Sequence, residues 1–171
     1  MQDADLFMEL AGIAGVFVGF GALIAVRSGG ASGTFEVGYT RGVVSMGVLV
    51  VVAALAPVTL GRYDLGQHQV WVLSSVGVTI GLLGLVTANA RTREWSQAEE
   101  GMAHSRWLDV IALLTIYPLM LAMAIIPIVI VLGLAPNVDA ALYFTAVVLL
   151  LIWDAWLLLN LVFRAPRPAS A

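Results

Sequence analysis

The sequence predicts an all-α integral membrane bundle of five transmembrane helices. Apolar residues make up 61% of the 171 positions and charged ones only 11%, and the mean hydropathy is +0.98. The apolar residues also fall into long runs separated by polar segments. A hydrocarbon layer of about 30 Å is crossed by roughly 20 apolar residues whose backbone groups pair within one helix. A chain of 171 residues has room for about five such spans and little else, so residues 1–171 read as a single membrane domain.

The first run is Phe7–Val26. It follows Met1-Gln-Asp-Ala-Asp, whose acids are the opposite of a basic leader, so the run is expected to stay as a span. The second, Val43–Leu60, follows the Gly/Ser-rich connector "RSGGASGTFEVGYTR", expected to be flexible. Val70–Ala88 comes after the short loop "RYDLGQHQ". Leu108–Leu134 is long enough to tilt or bend and follows "RTREWSQAEEGMAHSRW". That loop reads as a solvated connector anchored by Trp95 and Trp107, or as a short helix lying along the headgroups. Ser105 suits the cap of the fourth span and Asp109 its first turn. The fifth run, Ala140–Phe163, follows "APNVDA".

Direction follows from arginine, since every base in the chain is arginine. Arg27, Arg41, Arg91, Arg93, Arg106, Arg164 and Arg167 fall on one side of a five-span fold, and Arg62 alone on the other. The positive-inside rule then places the N-terminus outside and the C-terminus in the cytoplasm.

Composition also excludes chemistry. With no cysteine there is no disulfide, thiolate metal site or Cys nucleophile, and with no lysine no Schiff base. His68 and His104 fall in loops on opposite sides of the membrane, so they cannot share a metal or haem. A net charge of −3 without a basic, aromatic-interleaved patch argues against nucleic acid. No paired carboxylates, Ser/His/Asp set or HExxH helix is present at matching depth, so neither an enzyme nor a bound cofactor is expected.

"GIAGVFVGFG" places four glycines within ten residues of the first span. Gly12, Gly15, Gly19 and Ala22 follow a 3-4-3 spacing and share one stripe of a helix. The third span repeats the pattern with Ser74, Gly77, Gly81, Gly84 and Ala88. Lipid supplies no hydrophobic drive between helices, so association needs close contact, and small residues let backbones approach. Each stripe reads as a packing seam, closing either within the chain or between copies.

Asp154 lies ten residues before Arg164, about 15 Å from that end of the helix and hence at mid-membrane. A carboxylate there costs roughly 2.5–3.5 kcal/mol on insertion scales, so it should face protein or water. Thr79 and Tyr117 fall at comparable depth. Pro57, Pro118 and Pro127 leave the carbonyls of Ala53, Leu114 and Met123 without their helical donors, and a protonated Asp154 could donate to such an acceptor. Two readings stay open for Asp154: a proton or cation site, or a neutral acid that fixes helix packing. Glu9, near the outer end of the first span, either lines an outer mouth or reaches the surface. Asn160 reads as an interhelical hydrogen-bonding residue.

At "ELAGIAGVFVGFGALIAV" and "YFTAVVLLLIWDAWLLLNLVF" the chain resembles an uncharacterised family of small five-span bacterial membrane proteins. The resemblance implies a bacterial inner membrane and carries no function. The expected partners are membrane lipids and either a second copy of the chain or another membrane protein. Two functions remain: a small oligomeric ion or proton channel or transporter-like protein built on Asp154, or a non-catalytic scaffold or accessory subunit of a larger membrane complex.

Overall fold

A computed structural model describes residues 4–27, 34–90 and 106–163. These form α1 (Ala4–Arg27), α2 (Thr34–Leu60), α3 (Gln67–Ala90), α4 (Arg106–Val131) and α5 (Asp139–Phe163), with a 3-10 turn at Pro136–Val138. There is no strand among the described residues. The helices run 24 to 27 residues, about 36–40 Å at 1.5 Å per residue. Ala4–Ile24, Thr40–Leu60, Gln67–Ala88 and Pro136–Leu159 are long and apolar enough to cross a membrane, and α4 contributes the apolar stretch Pro118–Val131. Leucines, isoleucines and valines such as Ile13, Val52, Ile80, Leu121 and Ile152 stand exposed around the bundle, the surface expected where the solvent is lipid.

Successive helices run antiparallel. Gly21 of α1 abuts Val43 of α2, while Gly47 of α2 abuts Val18 and the Ala14 carbonyl. The last helix is central: α5 packs against α1, α2, α3 and α4. Where α1, α3 and α5 begin, Phe7, Trp71, Tyr143 and Phe144 form an aromatic cluster. Phe7 lies 6.1 Å from both Trp71 and Tyr143 and meets Phe144 edge-on at 5.6 Å. Such pairs contribute about 0.5–1.5 kcal/mol beyond their buried area, which in lipid is a substantial part of what can hold helices together.

Two boundaries differ from the sequence expectation. α2 begins at Thr34, nine residues before its apolar run, so much of the expected flexible connector is helix. Propagating an existing helix costs far less than nucleating one, and the apolar run supplies the nucleus. α4 ends at Val131 rather than Leu134, because Gly133 takes φ +62°. The Leu134 amide donates to the Val129 carbonyl at 3.2 Å and the Gly133 amide to the Ile130 carbonyl at 3.0 Å. This is a Schellman termination, with glycine where a Cβ would be strained. Residues 91–105 of the Trp-rich connector, His104 and Ser105 among them, lie outside the described residues, as do the side chains of Trp107, Asp109 and Asn160.

The glycine stripe of α1 does not close within the chain. Gly12, Gly15 and Gly19 have no atom within 4 Å of where a Cβ would stand, and Ala22 is exposed. Phe7, Leu10 and Ala14 are buried instead, with Gly21 continuing the same face against Val43 and Val44. That face, spaced 7-14-21, lies well around the helix from the stripe. It wins because it offers aromatic burial at one end and close backbone approach at Ala14 and Gly21. The α3 stripe divides: Ser74 is buried and Gly81 packs on Leu49 of α2, but Gly77 and Gly84 are open and Ala88 is exposed.

Candidate functional site

Asp154 is wholly buried, at 0% exposure, and neither carboxyl oxygen has a hydrogen-bond partner. Its place in the fold follows from spacing. On α5 the buried residues are Asp139, Tyr143, Ala146, Val147, Leu150, Asp154 and Leu157, and apart from the adjacent Ala146 and Val147 they follow one another at three or four positions, so they share one face turned to the other helices. Gly47 of α2 makes the room. A Cβ there would lie 3.0 Å from Asp154 Oδ2, 2.6 Å from Val18 Cγ2 and 3.5 Å from the Ala14 carbonyl oxygen. The carboxyl therefore sits where α1, α2 and α5 meet, beside the bare backbone of Gly47.

The other residues expected around it go elsewhere. The Thr79 hydroxyl donates to the Ser75 carbonyl of its own helix at 2.8 Å. Tyr117 lies on α4, with its side chain outside the described residues. Glu9 is exposed on α1. The Ala53 carbonyl freed by Pro57 does find a donor, but the donor is Tyr143, whose hydroxyl reaches it at 2.7 Å. Asp154 does not. Tyr143 stands three turns nearer the start of α5 and is long enough to span to α2, whereas a carboxyl fits only at the glycine notch.

A second set of buried polar groups lies on α3, with Ser74 next to Tyr143 of α5. Ser74 and Ser75 are each 1% exposed, and their hydroxyls have no hydrogen-bond partner. Ser74 Oγ lies beside the Tyr143 hydroxyl without the geometry of a hydrogen bond. This departs from the rest of the bundle, where Ser45, Thr59, Thr79, Thr87 and Thr145 satisfy themselves on carbonyls one turn back. At the mouth of the same seam, His68 Nδ1 donates to Asp139 Oδ2 at 2.6 Å, the only ion pair among the described residues. Asp139 is 2% exposed, its Oδ1 has no partner, and it stands in the first turn of α5, where the helix dipole favours a negative charge. The His68 ring rests against Gly133, 3.7 Å from the position of a Cβ.

His68, Asp139, Ser75, Tyr143 and Gly47 carry no motif. His68 and Asp139 sit in polar loops seventy-one residues apart, and Gly47 is an ordinary glycine in "SMGVLV". The one available signal was the four-residue step from Asp139 to Tyr143, which puts both on the face of α5 that also carries Asp154. No group of three or more His, Asp or Glu residues that could hold a metal occurs among the described residues. Comparison with protein-family models, curated proteins and solved structures returns no match, so the resemblance to five-span bacterial proteins gains no support there.

Proposed function

We propose that this protein is a small oligomeric membrane channel or transporter-like protein for protons or a small monovalent cation, with Asp154 as the group that binds and releases the ion. One observation carries the reading: the Asp154 carboxyl, within the apolar stretch of α5, is fully buried and has no hydrogen-bond partner. A packing acid earns its place through a hydrogen bond, and Asp154 makes none. An acid retained in hydrocarbon without such a bond is expected to serve an ion. The arginine distribution supports an orientation with the His68–Asp139 end outside and the C-terminus in the cytoplasm. The resemblance supports a bacterial inner membrane.

The experiment is flux in proteoliposomes that contain a pH-sensitive dye, under an imposed pH gradient with potassium and valinomycin to clamp the potential. Wild-type vesicles should dissipate the gradient faster than protein-free ones, and Asp154→Asn should return the rate to background with the fold intact by circular dichroism. Equal rates for wild type and Asp154→Asn, or for wild type and empty vesicles, overturn the reading.

The second reading, a scaffold or accessory subunit, is favoured by the open stripe at Gly12, Gly15 and Gly19, a surface shaped for another transmembrane helix. Copurification with a larger membrane complex, together with absence of flux, would decide for it.

A further inference from the structure

The side-chain oxygens that are buried without a partner among the described residues are Ser74 Oγ, Ser75 Oγ, Asp139 Oδ1 and both oxygens of Asp154. In a bundle so apolar, scattered defects would be unremarkable, but three of these lie where α3 meets the start of α5 and the other two lie further along the same buried face of α5, opposite α1 and α2. Asp139 and Asp154 lie on the single buried face of α5. Ser74 lies beside Tyr143 of that face, and Ser75 is its neighbour on α3. The parallel pairing of His68 with Asp139 and of Trp71 with Tyr143 at 5.6 Å sets α3 alongside α5 in this region. Each unpartnered buried oxygen carries a desolvation cost, and water or an ion is one of the partners that such groups in native proteins take.

Resting on the function proposed above, we propose that the buried face of α5 is one wall of a water-bearing half-channel that enters the α3–α5 seam at the His68–Asp139 pair, passes Ser74, Ser75 and Tyr143, and ends at Asp154 between α1, α2 and α5, closed in this structure by Ala146, Val147 and Leu150. His68, 46% exposed, is the contact with bulk solvent, and Asp139 behind it draws cations toward the seam. The serine hydroxyls and the Tyr143 hydroxyl, which holds the Ala53 carbonyl, form the polar middle. From Tyr143 to Asp154 the helix advances about 16 Å. Ala146, Val147 and Leu150, all buried, are what this face presents over that distance. An apolar stretch of this kind stops water until it moves, the arrangement by which hydrophobic constrictions gate.

The chain contains no cysteine, so single cysteines can be introduced into the otherwise native protein. In vesicles, Ser74→Cys and Ser75→Cys are to be exposed to Ag⁺, a small hydrated thiol-binding cation, added on the His68 side. Free thiol is then counted by maleimide labelling after denaturation. Val43→Cys, equally buried but on the α1–α2 contact, is the control. We expect Ag⁺ to block the serine positions at least tenfold faster than position 43. Rates equal to that of Val43→Cys overturn the half-channel.

A second arm covers misfolding of those variants: Leu150→Ala should raise proton flux several-fold, whereas Leu157→Ala, beyond Asp154 on the same face, should not. Equal effects of the two overturn the placement of the gate. The labelling result does not depend on transport, so an accessible seam combined with absent flux would remove the proposed function, and an inaccessible seam combined with Asp154-dependent flux would remove only the route.

Discussion

The Tyr143 hydroxyl donates at 2.7 Å to the Ala53 carbonyl, which lies four residues before Pro57 and so lacks a helical donor. A proline defect in α2 is thus repaired from α5, and the two central helices are locked at that level. Tyr143→Phe should cost about 1 kcal/mol, the scale of an interhelical hydrogen bond in a membrane bundle. Pro57→Ala restores the missing amide, so in that background Tyr143→Phe should cost markedly less. Thermal melts of the four proteins in one detergent give the coupling, and additive losses would show that the bond does not compensate for the proline.

Gly47 and Gly15 should respond oppositely to added volume. Gly47→Val drives carbon into Val18 and against Asp154, where a Cβ already lies 2.6 Å and 3.0 Å from their atoms, and should lower the melting temperature strongly. Gly15→Leu meets open space and should leave the protomer's stability unchanged. If the α1 stripe joins copies, Gly15→Leu also reduces the oligomer seen by native mass spectrometry. Loss of folding in Gly15→Leu would contradict the outward direction of that face.

Gly81 tests the one glycine of the α3 stripe that packs within the chain. Gly81→Leu should destabilise through Leu49, whose Cδ1 would lie 2.6 Å from a new Cβ. Gly81→Ala combined with Leu49→Ala should recover most of the loss seen for Gly81→Ala alone, because the clash is with the end of a side chain. Failure of the double variant to recover would place the obstruction in the backbone.

Asp154 should be dispensable for folding. Its carboxyl makes no hydrogen bond, and replacing an unpaired buried acid by a neutral group removes a desolvation cost. Asp154→Asn should therefore hold or raise the melting temperature. A clear decrease would mean that the carboxyl serves packing, and the ion reading would lose its main support.

Gly133 and His68 hold the loops at the end where α5 begins. Gly133→Ala should cost about 1–2 kcal/mol, the penalty for a Cβ at φ +62°. His68→Ala should loosen the link between the starts of α3 and α5 with a smaller effect on global stability. Amide exchange over residues 61–66 and 132–138 is the measurement, and unchanged protection in His68→Ala would show that the pair with Asp139 restrains neither loop.

The sequence by itself determined the all-helical build, the approximate extent of each apolar helix and the presence of one acid within the apolar run of the last helix. Those properties depend on local hydropathy and on the need to satisfy backbone groups within a helix, and both are readable along one chain. The structure decided which face of each helix is buried. Where every side of a helix is apolar, periodicity does not distinguish lipid-facing from protein-facing positions, so the small stripe at Gly12, Gly15 and Gly19 and the true contact at Ala14 and Gly21 look alike until a neighbour is in place. The same holds for the polar groups: that Pro57 frees Ala53 is local, but that Tyr143 rather than Asp154 takes the bond depends on how far α5 is offset along α2. Gly47, which makes room for Asp154, acquires its meaning only from the third helix that leans against it.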